Sequence, residues 1–307
     1  MKNIIPLFLT LLLYSNHTFS QLSVSIDNKY GFKMLGTYGV FGYGNSSSNN
    51  GATTYESKKF CFGNGYQAGI NVRYLFKGNI GAELGFGYLI GSKDKTTYYS
   101  NSGGIYPSTF QDETYFKARM MRVNIGACYI GAKKISPIIR MGMIMGFGKI
   151  IGISKSTDTQ SGLYYNPNPP YNSTYTTTTN NSEMEYEYYG GLSLGFYSAL
   201  GINYRATNAL SMSLCFDVLV QEFAPKKGKL TKSTENGIDQ LPLMTKSEKE
   251  VEFVNEYTYI NSQPNNVSAS KSSRMSFPLS SFGPSFSISY TIGKNEKPAN
   301  TASNTTN

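Results

Sequence analysis

Hydrophobic and polar residues alternate one by one over long stretches of this chain. In "GYQAGINVRYLFKGNIGAELGFGYLIG", residues 65–91, the even positions carry Tyr66, Ala68, Ile70, Val72, Tyr74 and Phe76, then Ile80, Ala82, Leu84, Phe86, Tyr88 and Ile90. The odd positions carry Gln67, Gly69, Asn71 and Arg73, then Gly81, Glu83, Gly85 and Gly87. A period of two belongs to a strand with two unlike faces. The same alternation predicts eight strands, at about 30–43, 59–76, 80–93, 114–131, 135–153, 184–204, 209–224 and 281–293. In the fourth, Met121, Val123, Ile125, Ala127 and Tyr129 oppose Arg122, Asn124, Gly126 and Cys128. In the seventh, Leu210, Met212, Leu214, Phe216, Val218 and Val220 oppose Ser211, Ser213, Cys215, Asp217 and Gln221.

The connections sort by length. Three are tight, at "KGN", "GAK" and "RATN", and predict hairpin turns. The others, at 44–58, 94–113, 154–183 and 225–280, are long and polar. Short turns at one end and long connections at the other predict an all-β, eight-stranded antiparallel up-and-down transmembrane β-barrel with short periplasmic turns and four long extracellular loops. A soluble lipocalin-like barrel is the competing architecture. The less apolar face decides between them. Gly, Ser and Asn with few charges make a poor solvent face and a good crowded interior, so the apolar face is assigned to lipid. Aromatic residues end the apolar sets: Tyr74, Phe76, Tyr129, Tyr204 and Tyr290 near the short turns, Tyr88 and Phe147 nearer the loops. These are expected to form interfacial girdles. "EKEVEFVNEYTYINS" (248–262), inside the last connection, reads as part of an extramembrane hairpin.

"GYQAGINVRYLFKGNIGAELGFGY", "YIGAKKISPIIRMGMIMGFG" and the final "SFGPSFSISYTI" resemble the small outer-membrane beta-barrel domain proteins often labelled "porin family", akin in architecture to OmpX-like and OmpA-like barrels. The last segment also resembles a carboxy-terminal signal read by the barrel-assembly machinery, although here further residues follow it. The resemblance implies a fold and a membrane, and names no substrate.

The N-terminus fits that location. Lys2 precedes an apolar run from Ile4 to Leu13, and small residues Thr18 and Ser20 lie just before Gln21. This order predicts a cleaved secretory signal peptide over 1–20, too short to span a membrane as a helix. The barrel domain is then 21–293, followed by a polar tail at 294–307 expected to be disordered. The compartment predicted is the outer membrane of a Gram-negative bacterium. With 25 Tyr, 31 Gly and only 15% charged residues, the mean hydropathy of −0.32 is what a polar interior and polar loops give when averaged with an oily face. The net charge of +9 suits anionic headgroups and lipopolysaccharide better than nucleic acid in an exported chain. Cys61, Cys128 and Cys215 are odd in number and widely spaced, which points to small buried residues instead of a disulfide framework or a metal site.

His17 is the sole histidine and leaves with the signal, so the mature chain lacks the base of a Ser-His-Asp hydrolase. No enzymatic activity, cofactor or metal is expected. Charge gathers on the inward face: Lys33, Arg73, Arg122 and Arg140 with Glu83 and Asp217. Two readings follow: a salt-bridged plug in a barrel just wide enough for its own side chains, or a narrow anion-preferring passage. The long connections carry "SGLYYNPNPPYNSTYTTTTN" and "KKGKLTK", and Tyr and Asn are adaptable contact residues. Three roles stay open: a structural or surface-binding barrel with an extracellular ligand, a porin-like channel, or an accessory barrel of a secretion or envelope complex. A monomer is expected.

Overall fold

The computed structural model describes residues 21–34, 46–49, 52–55, 61–76, 79–102, 107–165, 173–256 and 264–292. The expected signal peptide and C-terminal tail lie outside the described residues. In chain order the strands are β1 (Gln21–Lys33), β2 (Ser46–Asn49), β3 (Ala52–Tyr55), β4 (Gly65–Leu75), β5 (Ile80–Gly91) and β6 (Asp94–Ser102). Then come β7 (Ser108–Ile130), β8 (Ile135–Tyr165), β9 (Ser173–Tyr189), β10 (Ser193–Arg205), β11 (Leu210–Phe223) and β12 (Lys227–Glu235). The last are β13 (Ile238–Asp239), β14 (Glu250–Val254), β15 (Ser270–Ser273), β16 (Phe277–Pro278) and β17 (Ser281–Ile292). A 3-10 turn (Leu241–Leu243) and the single-turn helix α1 (Lys246–Lys249) are the helical elements among the described residues, and no helix there is long and apolar enough to cross a membrane.

Eight of these strands close on themselves within one sheet. Each pairs antiparallel with both neighbours, in the order β1, β4, β5, β7, β8, β10, β11, β17 and back to β1. Closure satisfies the backbone donors and acceptors that an open edge would leave bare. The faces are inverted relative to a soluble protein. Ile26, Ile70, Phe86, Ile125, Met143, Phe196, Leu214 and Ile288, one from each ring strand, point outward with 43–66% of their surface exposed. Arg73, Glu83 and Arg122 point inward and are no more than 2% exposed.

Several strand boundaries differ from the sequence reading: the second expected strand starts at Gly65 instead of 59, the fourth at Ser108 instead of 114, and the fifth runs to Tyr165 instead of 153. The first ring strand starts at Gln21 and ends at Lys33, instead of spanning 30–43, and residues 35–45 lie outside the described residues. Its middle contains Asn28 at an outward position, which breaks the apolar set. Tyr66 on β4 donates a hydrogen bond to the Asn28 Oδ1 and so accommodates it. The expected sixth strand, 184–204, is two strands, β9 and β10, separated at residues 190–192 and laid end to end along β8.

The long connections are largely sheet. β8 runs 31 residues, which at 3.3 Å per residue is roughly 100 Å. Its first part pairs with β10 inside the ring and its second part with β9 above it. On one side β7 carries β6, and β2 pairs parallel to β6; on the other β12 pairs with β9, and β14 with β12. A wall of strands therefore rises from one side of the ring, while β1, β4 and β17 stop at the mouth. The segment expected to form a hairpin near 248–262 supplies β14, which pairs antiparallel with β12 and parallel with β15; residues 257–263 lie outside the described residues.

Two short stretches fold into the mouth below this wall. Residues 61–64 precede β4 and residues 277–280 precede β17, and the Phe62 N–H donates to the Pro278 carbonyl at 2.8 Å. Gly63 makes the crossing possible, because a Cβ there would lie 1.9 Å from the Leu279 carbonyl oxygen. Phe62, Phe277 and Leu279 pack on inward residues Leu89, Met120, Ile150 and Phe223 as an apolar cap.

Candidate functional site: the charged interior of the ring

Alternation delivers charged or hydrogen-bonding groups from six ring strands to one level. Odd positions face inward on β1, β4, β5 and β10, and even positions on β7 and β8. Glu83 on β5 is the centre. Arg73 Nε on β4 donates to its Oε2 at 2.6 Å, and Arg140 on β8 donates to its Oε1 through Nη2 at 2.8 Å and Nε at 3.0 Å. Tyr197 Oη on β10 donates to the same Oε1 at 3.2 Å. Asp27 on β1 closes the group, 3.1 Å from Arg140 Nη2 and 3.9 Å from Arg73 Nη2, and accepts a hydrogen bond from Asn71. Gly85, between Asn71 and Asn124 on the inner face, leaves the space in which Asn124 donates to Asn71 at 3.2 Å.

A second pair stands beside the first. Lys29 Nζ on β1 lies 3.2 Å from Asp217 Oδ2 on β11, and Ser285 donates to Asp217 Oδ1 at 3.1 Å. Between the two pairs is a cavity of about 50 Å³ lined in part by Asp27, Lys29, Arg140, Tyr197 and Asp217, room for a few water molecules.

The expected interior residues do not all meet here. Arg73, Glu83, Arg140 and Asp217 do. Arg122 lies under the cap, where it donates to Gln67 Oε1 at 2.7 Å and to the Leu279 carbonyl at 3.3 Å, and has no carboxylate partner among the described residues. Lys33 stands at the rim, 2.6 Å from Asp94 Oδ1 with its side chain 39% exposed, and does not join the central group. Asp27, Lys29 and Tyr197 are members that sequence reading missed. Asp27 and Lys29 fell outside the first strand as placed, although Ser23, Ser25, Asp27 and Lys29 alternate with Leu22, Val24 and Ile26. Tyr197, an aromatic among lumen positions otherwise filled by Ser, Gly, Ala and Asn, breaks its strand's pattern.

The interior is also less polar than expected. Leu75, Cys128, Ile130, Ile138, Ala199 and Cys215 point inward near the short turns and form a second apolar cluster. Charge thus occupies the middle of the ring, with apolar layers below and above. All three cysteines are free and buried. Buried ion pairs repay their desolvation only when the geometry is good and further hydrogen bonds complete it, and Glu83 meets both conditions.

The girdle residues are all outward. Phe76, Tyr129, Tyr204 and Tyr290 are exposed at the short-turn end, and Tyr74 is half-buried with its ring 5.3 Å from Phe76. Tyr88 and Phe147 are exposed at the other end, where Tyr30, Phe32 and Tyr66 join them.

Above the ring the wall carries its own chemistry. Its outer face is a ladder of opposite charges. Glu183 on β9 lies 2.7 Å from Lys232 on β12 and 3.6 Å from Lys155 on β8. Lys149 pairs with Glu187, and Lys95 lies 2.6 Å from Glu113. The Lys232 hydrogen bond holds the Glu183 carboxyl below its usual range, with Lys155 adding to the effect. The inner face packs on the cap: Tyr188 lies against Phe253 and Phe277, and burial pushes its hydroxyl up to about 12.

No family model matches the chain, and no curated protein does. Among solved structures it is similar to a major outer membrane protein from Thermus thermophilus, at 12% identity and a TM-score of 0.32, over 90% of this chain and 100% of that one. Overlap of this size establishes no common fold. What the coordinates establish is an all-β chain with eight of its strands joined in a ring around a charged interior.

Proposed function

We propose that this protein is an integral β-barrel of the outer membrane, monomeric and without enzymatic activity or cofactor, that presents a rigid sheet to the outside and conducts nothing through its interior. The observation that carries the reading is the inversion of faces: charge and hydrogen bonds inside the ring, exposed apolar side chains on all eight strands outside. A soluble monomer's largest exposed apolar patch is about 300–600 Å², whereas this band encircles the ring. On β10 the band runs from Leu194 to Tyr204, close to 33 Å along the strand at 3.3 Å per residue. With a tilt of about 40°, that is a height of about 25 Å, the height of an outer-membrane barrel's apolar band.

The plug supports a structural or surface-binding role over transport. Ion pairs fill the middle of the lumen, and apolar layers stop it at both ends. The wall built by β6, β7, β8, β9 and β12 is then the extracellular platform, with a Thr-rich hairpin of β8 and β9 at its top. Secretion through the N-terminal signal and folding by the barrel-assembly machinery complete the reading. The test is planar-bilayer recording of the folded, full-length mature chain. The membrane is expected to stay electrically silent after insertion; reproducible conductance steps would reject the plug in favour of a channel.

A further inference from the structure

The outer face of the wall changes character one step above the apolar band. Met121 on β7 and Phe147 on β8 face each other at the band's upper limit and are 62% and 49% exposed. Two residues further along, on the same face, Arg119 pairs in register with Lys149, Lys149 with Tyr189, and Tyr189 with Lys227. Two residues of strand are about 6.8 Å. A bilayer of about 40–45 Å with a 30 Å hydrocarbon core has a headgroup layer of about 5–8 Å on each side. The cationic row therefore falls at the depth of the lipid phosphates.

Depth, more than pairing, separates this row from the charges above it, where Lys117 on β7 and Lys229 on β12 also make no ion pair among the described residues. Higher on the wall Lys95, Lys155 and Lys232 are each held by a glutamate. Arg119, Lys226 and Lys227 are exposed and make no ion pair among the described residues, while Lys149 is shared with Glu187. A row of cations in which Lys149 alone is ion-paired among the described residues, one step above Tyr88, Met121 and Phe147 at a membrane surface, is complementary to phosphate monoanions and dianions.

We infer that Arg119, Lys149 and Lys227, with Lys226 beside them, form a docking surface for the phosphate groups of anionic membrane lipid, on the side of the barrel where the wall rises. The inference rests on the barrel reading and adds to it a lipid class and a place. Bound lipid would brace the wall at its base, where β5 gives way to β6 and β9 to β10.

The test uses the full mature chain folded into nanodiscs of phosphatidylcholine alone, or of phosphatidylcholine mixed with phosphatidylglycerol. Thermal unfolding is followed by the band shift on gels. The native protein unfolds several degrees higher in the anionic discs, and added salt shrinks the difference. The variant Arg119→Gln with Lys227→Gln, which spares the Lys149–Glu187 pair, unfolds like the native chain in phosphatidylcholine and loses most of the anionic gain. An undiminished gain in the variant overturns the docking surface. So does an equal gain from inorganic phosphate in phosphatidylcholine discs, which would make free phosphate the ligand. Native protein that enters neither disc overturns the barrel reading itself, and a native protein indifferent to lipid charge overturns the inference alone.

Discussion

Five hydrogen-bonding or ionic contacts within 3.5 Å converge on the two oxygens of Glu83. The carboxylate is fully buried, and the two arginines it neutralises are 1% and 7% exposed at the side chain. Removing Glu83 leaves two buried arginines with Asp27 as their one remaining carboxylate among the described residues, and breaking a buried pair in this way costs roughly 3–5 kcal/mol. Glu83→Ala is therefore expected to lower the urea midpoint of the folded protein in lipid by that equivalent, while bilayer recordings stay silent. Gly85 illustrates the same economy of space at the scale of one residue. A Cβ there would sit 1.8 Å from Asn71 Oδ1, so the glycine of "AELGFGY" is the gap into which a hydrogen-bonded asparagine pair fits.

Within single elements, what could be read from the sequence depended on contrast between faces. β4, β5, β10 and β11 alternate apolar with small or charged residues, and the structure places their faces as the alternation predicts. β1 obeys the same rule but was displaced, because Asn28 takes an outward position that only a cross-strand contact to Tyr66 explains. The upper parts of β8 and β9, such as Ser156 to Ser161 against Thr177 to Ser182, are polar on both faces. A period of two leaves no hydrophobic trace there, so these strands read as loops. The cap was invisible for another reason: residues 61–64 and 277–280 have no repeat, and only closure of the ring brings them together.

The wall's charge ladder has a pH signature. The Glu183 carboxyl is held below its usual range chiefly by Lys232, so the pairing contributes stability that is fully present above the ordinary glutamate value of about 4.3. That stability is lost as pH falls through the depressed folded value. The side chain is 28% exposed, and pairs of this kind are worth no more than about 1 kcal/mol. Amide exchange in β9 and β12, corrected for its intrinsic pH dependence, should rise modestly on acidification below about pH 4. Glu183→Gln should show the faster exchange already at neutral pH and little further change.

For the whole molecule, closure, inversion and the proposed sealing are three separate matters. Closure follows from eight strands that each pair on both edges. Inversion was legible from composition of the faces, since Gly, Ser and Asn make a poor solvent face. The sealing proposed above was only half legible in the sequence. The sequence reading weighed the cations against the acids and found an excess, which kept an anion passage open. Asp27 and Lys29 add one charge of each sign at the centre, and apolar clusters lie below and above it. Of the two excess cations, Lys33 pairs with Asp94 at the rim and Arg122 lies beneath the cap, tied to the Leu279 carbonyl.

Spin labels placed singly along β10 test inversion and sealing together, with the protein folded in a lipid bilayer and its three buried cysteines replaced by serine. Labels at Phe196, Leu200 and Ile202 should be reached by oxygen dissolved in the lipid and not by a water-soluble paramagnetic reagent. Labels at Ala199 and Asn203 should be immobile and reached by neither. Water-soluble reagent at the even positions would contradict the membrane-spanning ring, and the same reagent at the odd positions would contradict the sealed interior.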